Sequence, residues 1–162
     1  MGENISWYLK DQVAVIKGQG EMDRTCDLGA GVKTAGGSSD HVHKVIIEDG
    51  VTSVTEFHSL EALTAVSLPD SVTEIGSKAF RDCPDLKSVR LSQNLQVLGE
   101  EAFSKCTSLT AVELPASLTD IGDSVFYSSS GGDSMEITIH EPTMTAWLEA
   151  LPLRSGSSTA AS

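Results

Sequence analysis

The sequence predicts an α/β repeat fold: a short solenoid of about five parallel β rungs, with an N-terminal β-hairpin cap and a C-terminal helical cap. Three observations carry that expectation. Phe80, Phe103 and Phe126 lie 23 residues apart, and most of their surroundings repeat at the same step. The units Leu63–Asp85, Leu86–Ser108 and Leu109–Gly131 align in columns: Leu63/Leu86/Leu109, Val66/Val89/Val112, Leu68/Leu91/Leu114, Gly76/Gly99/Gly122 and Cys83/Cys106, which closes on Ser129. A fixed period of this size means stacked supersecondary units, each burying its apolar face only against its neighbours. Third, the chain has 162 residues with 40% hydrophobic and 21% charged content, one soluble domain's worth.

The expected division is a hairpin cap with a flexible loop over 1–40, the solenoid over 41–140, a capping helix over 141–153 and a disordered tail over 154–162. At the N-terminus, Ile5, Trp7 and Leu9 alternate with polar residues, as in a half-buried strand. Val13, Val15 and Ile16 follow a turn near Asp11-Gln12, which completes a hairpin. Residues 19–40 have no period and read as a long loop rich in Gly, Ser and Thr. His43–Thr55 is a divergent first repeat: Val45, Ile47, Val51 and Val54 match Val66, Leu68, Val72 and Ile75 at a step of 21, and Phe57 or Leu60 fills the space of Phe80.

Within a full repeat, Val66 and Leu68 point the same way from a strand, into the core. Pro69 ends that strand because it removes a ladder donor. Val72 and Ile75 bury the next segment, and Gly76 permits a tight turn. Ala79, Phe80 and Cys83 then form a short helical turn that fills the second side of the core. Adding 23 to Val112 and Leu114 gives Met135 and Ile137, so a last rung is expected there with Glu136 outward beneath Glu113. Strands centred near Val45, Val66, Val89, Val112 and Met135, at ~4.8 Å per rung, make a stub about 20–25 Å long. Open solenoid ends need caps. After Pro142, the residues Met144, Trp147, Leu148 and Leu151 form an apolar stripe at helical spacing, which Pro152 ends.

Charge and cysteines narrow the function classes. With 23 acidic and 11 basic residues the formal net charge is −12. Phosphate backbones and anionic membranes both call for clustered Lys and Arg, so nucleic acid is not an expected partner and direct membrane insertion is not expected either. Cys83 and Cys106 share a column and read as small buried hydrophobes rather than a disulfide; Cys26 reads as a free thiol. No signal peptide is visible, and no stretch approaches the ~20 apolar residues of a membrane span.

The consensus L-x-x-V-x-L-P-x-S-V-T-x-I-G-x-x-A-F-x-x-C closely resembles the BspA-like leucine-rich repeats of bacterial surface proteins, over about residues 42–131. Phe80, Cys83, Leu63, Val66, Leu68 and Ile75 occupy the diagnostic positions. Gly2–Trp7 and Gly18–Met22 are similar to that family's leader landmarks, before the entry Ile47–Thr52. The resemblance implies a leucine-rich-repeat solenoid that is exported or surface-anchored and binds other macromolecules (protein, or a host or matrix macromolecule), with no cofactor. The segment between leader and array lacks the aromatic residues expected there, and the array is short for the family, as in a fragment or a minimal member.

Other chemistry finds little support. Gly29–Thr34 resembles a phosphate loop only loosely, since Val32 interrupts the Gly-Lys pair. Gly18, Gly20, Gly36 and Gly37 are turn glycines. His41 and His43, with Asp40 and Cys26, are a possible metal set on spacing alone, against the blander alternative of two solvated histidines. Glu48, Asp49, Asp70, Glu74, Asp120 and Asp123 do not recur in one column, so they read as a solvated acidic face rather than a calcium ridge. No catalytic residue and no metal or cofactor site is expected.

The expected partner-binding surface is the outward side of the strands. One column reads Ile46, Ser67, Arg90, Glu113 and Glu136; the other reads Lys44, Ala65, Ser88, Ala111 and Ser134. From these, Ser67, Ser88, Arg90, Glu113 and Glu136 are the candidate site, while Phe80, Phe103, Phe126, Cys83 and Cys106 are structural core. The leading reading is a non-enzymatic module for protein–protein interaction in cell-surface adhesion. A structural spacer that displays another domain and a glycan-binding accessory module are the alternatives. Secretion or surface display follows from the resemblance; a cytoplasmic location is the alternative. The oligomeric state stays open.

Overall fold

The computed structural model describes residues 5–22, 41–55, 57–129, 135–140 and 157–161. The strands are β1 (Ser6–Lys10), β2 (Val13–Lys17), β3 (Gly20–Glu21), β4 (Lys44–Ile47), β5 (Val51–Val54), β6 (Ala65–Ser67), β7 (Glu74–Ile75), β8 (Ser88–Arg90), β9 (Val97–Leu98), β10 (Ala111–Leu114), β11 (Asp120–Ile121), β12 (Met135–Ile139) and β13 (Ser157–Ala161). They stack as a parallel β-solenoid. A front face runs β1-β2-β4-β6-β8 and continues in β10-β12-β13; a back sheet runs β11-β9-β7-β5-β3. β8 and β10 lie side by side but belong to separate sheets.

The N-terminal hairpin joins the front face directly. Asp11 and Gln12 take φ of 49° and 66°, the left-handed pair of a two-residue turn whose twist matches its strands. β2 then pairs parallel with β4, Ala14 opposite Val45 and Ile16 opposite Ile47. Ala14 and Ile16 are fully buried, and Ile5, Trp7 and Leu9 cover the core from β1. Residues 19–22, expected to begin a loop, instead start the back sheet. Gly20 N–H donates to Gly50 O at 2.9 Å and Met22 N–H to Ser53 O at 3.1 Å. A two-residue strand is too short to leave a periodic signal; the rest of the expected loop, through residue 40, lies outside the described residues.

Strands β4, β6, β8, β10 and β12 are the five rungs the repeat step implies. The last one pairs differently from expectation. Val112 faces Ile137 and Leu114 faces Ile139, so Glu113 sits opposite Thr138 and Glu136 opposite Ala111. Met135, Ile137 and Ile139 are all buried. A slip of two residues keeps every apolar side chain inside, so the hydrophobic pattern alone cannot choose between the two registers.

The third side of each rung carries the phenylalanine, and it is not helical. Lys78, Phe80 and Asp82 donate their N–H groups to Glu100, Ala102 and Ser104 of the next rung at 2.8, 2.8 and 3.0 Å. Ala79 and Arg81 donate back to Gly76 and Lys78 at 3.3 and 3.1 Å. A helix would spend all these donors within its own rung; alternation lets every second one bind the neighbour. Positive φ at Lys78 (62°) and Asp82 (57°) makes the alternation possible. There is no helix among the described residues, so the β-solenoid replaces the expected α/β repeat. The expected capping helix at 141–153 lies outside the described residues.

At the other end, Ser157–Ala161 pairs parallel with β12, from Met135 opposite Ser157 to Ile139 opposite Ala161. These five residues correct the expectation of a disordered tail over 154–162. An open strand edge presents unpaired N–H and C=O groups, and backbone pairing satisfies them even where the added sequence is only Ser, Thr and Ala.

Two columns fill and space the core. The rings of Phe57, Phe80, Phe103 and Phe126 stack with centroids 5.3, 5.3 and 5.9 Å apart. The first three are fully buried, whereas Phe126 at the end of the stack is half-buried. The glycine column acts by close approach, not by a tight turn: Gly76, Gly99 and Gly122 are not among the positive-φ residues. A Cβ on Gly99 would lie 2.5 Å from backbone atoms of Gly76 and Ser77.

Cys83 and Cys106 are buried free thiols. Each Sγ–H donates to the phenylalanine carbonyl one rung back: Cys83 to Phe57 O at 3.5 Å and Cys106 to Phe80 O at 3.2 Å. Ser129 repeats the contact to Phe103 O at 2.6 Å, so the column keeps a donor when it changes residue. Leu60, one step before Cys83, is fully buried and serves the column as a hydrophobe. Burial pushes both thiols up from 9.0 to about 12. An acid whose pKa is raised by folding leaves stability intact below its unfolded pKa and erodes it above. Unfolding free energy should therefore be flat in these groups below pH 9 and fall between pH 9 and about 12. Urea titrations across that range check this, and a Cys83→Ala/Cys106→Ala variant should lose the alkaline slope. At pH 8, iodoacetamide should leave both cysteines unmodified until the chain unfolds.

Candidate binding face

The outward side of the front sheet is arranged in rows that cross the strands. One row runs Tyr8, Val15, Ile46, Ser67 and Arg90, each residue paired with the next. A second runs Lys10, Val13, Lys44, Ala65 and Ser88. On β10, Ala111 and Glu113 continue the alternation outward, since both are exposed while Val112 and Leu114 are buried. Ser67, Ser88, Arg90 and Glu113 thus share one face, as the repeat step implies. Glu136 is also outward, but it follows Ala111 rather than Glu113. Glu113 instead meets His140, whose Nε2 lies at hydrogen-bond distance from its Oε1.

The face begins two strands earlier than sequence reasoning placed it. The repeat columns do not include Tyr8, because they start at β4 and the hairpin enters the sequence reading only as a cap. Its signal was available: Trp7 and Leu9 face inward, so Tyr8 between them must face out. Tyr8 is 44% exposed, and Lys17 Nζ lies 5.6 Å from its ring centroid. The face therefore carries an exposed aromatic residue, the type that anchors interfaces.

Charge is graded along this face. Lys10, Lys17 and Lys44 lie on β1, β2 and β4, Arg90 is midway, and Glu113 and Glu136 lie at the far end. Among the described residues no carboxylate is in ion-pair reach of the three lysines. The third side behaves differently: Arg81 contacts Glu101 at 2.7 Å and Asp82 at 3.3 Å, and Lys105 reaches Asp82 at 3.6 Å. Those cations are already neutralised by neighbours on their own ridge.

The other sequence candidates stay apart. His43 is tied into the array through its backbone, its N–H bonding Gln12 O at 2.9 Å and its carbonyl accepting from Thr64. Asp40 and Cys26 lie outside the described residues. Among the described residues no three His, Cys, Asp or Glu side chains converge as a metal set. Asp70 serves the stack, its Oδ1 accepting from Gln93 N–H at 3.0 Å. No helix among the described residues is long and apolar enough to cross a membrane.

Stacked 23-residue rungs, a phenylalanine ladder and one open strand face define a leucine-rich-repeat type of parallel β-solenoid. Residues 38–145 match the BspA type leucine rich repeat region in six copies, and the chain belongs to that family. Among solved structures it is similar to a leucine-rich repeat protein from Eubacterium ventriosum, with 30% identity and a TM-score of 0.73 over 85% of this chain and 36% of that one. It is also similar to a leucine rich cell surface protein from Faecalibacterium prausnitzii, with 28% identity and a TM-score of 0.57 over 74% of this chain and 32% of that one. The chain thus spans about a third of the length of each of these two proteins. A T. pallidum leucine rich repeat protein shares the fold at 22% identity and a TM-score of 0.62, over 89% of this chain and 72% of that one. No curated protein sequence matches the chain significantly.

Proposed function

We propose that the chain is a non-enzymatic protein-interaction module that serves adhesion at a bacterial cell surface. The observation that carries this reading is the continuous front face, which runs in register from Tyr8 on β1 to Arg90 on β8 and continues outward at Glu113 and Glu136. Its side chains are small at Ala65, Ser67 and Ser88, so a partner can approach the sheet closely, and its charged groups at either end fix orientation. Membership in the BspA-type family supports the surface role, as does likeness to the Faecalibacterium prausnitzii cell surface protein.

The test uses labelled protein on host-cell monolayers and on immobilised matrix proteins. Arg90→Glu with Glu113→Lys should lower binding at least tenfold, whereas Lys78→Glu on the third side should leave it unchanged. Equal binding by all three proteins would overturn the strand face as the binding surface, and no binding by any of them would show a spacer.

A further inference from the structure

Resting on the strand-face reading, we infer that the N-terminal third of the face receives an acidic, extended protein segment that carries an apolar side chain. Tyr8, Val15 and Ile46 form a strip across three strands. Lys17 flanks the strip on one side, and Lys10 and Lys44 flank it on the other, two residues along their strands. At ~3.3 Å per residue these flanks stand about 7 Å from the strip, the spacing of neighbouring side chains on an extended peptide.

Charge selects the occupant. The chain carries −12 overall, yet these three lysines have no carboxylate partner among the described residues. At this end the three lysines outnumber the nearby carboxylates Asp11 and Glu48, so on an otherwise acidic molecule it is the part that attracts anions. Glu113 and Glu136 therefore push an acidic ligand toward the hairpin. The apolar strip argues for a peptide over a sulfated glycan. A polysulfate gains nothing from Val15 and Ile46, whereas a Phe or Leu side chain buries against them and against the Tyr8 ring. Tyr8 already holds Lys17 near its face, which pre-positions that cation beside the strip.

The experiment titrates 15N-labelled full chain with three ligands: a heptapeptide of Asp and Glu around a central Phe, the same peptide with Asn and Gln in place of the acids, and a heparin hexasaccharide. The acidic peptide should shift amides of Tyr8, Val15, Lys17 and Ile46. Its affinity should fall at least tenfold for the neutral peptide, for Tyr8→Ala, and for Lys10→Glu/Lys44→Glu. It should also fall as salt rises from 50 to about 300 mM. A hexasaccharide that binds the same residues more tightly than the acidic peptide would overturn the inference in favour of a glycan. No shift at these residues up to millimolar acidic peptide would overturn it outright. Should the peptides fail while the Arg90/Glu113 variant still loses cell binding, the strand-face function stands and only the acidic-segment assignment falls.

Discussion

Gly99→Ala is expected to destabilise the solenoid by about 3–5 kcal/mol, among the largest effects a single methyl group can have. The added Cβ would sit 2.5 Å from Gly76 C and Ser77 N, both backbone atoms of the rung beneath. Backbone cannot rotate away, so relief requires the two rungs to separate and lengthen their ladder bonds, including Gly99 N–H to Ile75 O at 2.8 Å. Gly76→Ala is the internal control. Its nearest obstacle is the Thr55 methyl at 2.6 Å, a side-chain atom that a rotamer change can move, while backbone stays 3.5 Å away. The loss there should be about 1–2 kcal/mol, within the usual range for one added methyl. Urea denaturation of the two variants checks the ordering; equal losses would show that close backbone approach is not what fixes glycine in this column.

Phe103→Ala should cost about 3–5 kcal/mol, the range for emptying a buried aromatic site. Phe103 is fully buried and its ring stacks on two others, Phe80 at 5.3 Å and Phe126 at 5.9 Å. A solenoid is close to one-dimensional, so a void in a middle rung also weakens the coupling between its halves. Phe103→Ala should therefore broaden the unfolding transition and raise amide exchange in β10 and β12 before β4 and β6. Phe126→Ala, at the half-buried end of the same stack, should cost less and leave the transition sharp. A sharp, single transition for both variants would contradict the coupling argument.

The stacking axis was legible from the sequence because columns such as Leu63/Leu86/Leu109 and Phe80/Phe103/Phe126 need nothing but counting. Inside and outside along β4 to β10 followed from the same columns. What the sequence concealed were features that lack a period. The pairing of β12 was ambiguous by two residues because Met135, Ile137 and Ile139 bury equally well in either register, and this moved Glu136 away from Glu113. The third side looks helical since Ala79, Phe80 and Cys83 suit a turn, whereas alternate bonding to the next rung depends on left-handed backbone at Lys78 and Asp82, which Asp signals only weakly and Lys not at all. Glycine was expected at a turn and proved to be a contact point. The candidate face is legible in its middle but not at its start, because the hairpin that caps the array also supplies the first two strands of the same sheet.

That last difference matters most for function. Without β1 and β2, the outward face offers small residues and scattered charge, which suits a spacer as well as a binder. With them it gains Tyr8, Val15, Lys10 and Lys17, which join Lys44 of β4 as three lysines with no ion-pair partner among the described residues, so apolar anchor and cationic rim occupy one end. A photo-crosslinking amino acid placed at Ser88 on the front face, or at Lys78 on the third side, tests the central claim most directly. On intact host cells, the Ser88 position should yield a discrete crosslinked protein and the Lys78 position should yield none. Crosslinking from Lys78 with silence from Ser88 would contradict a binding role for the strand face.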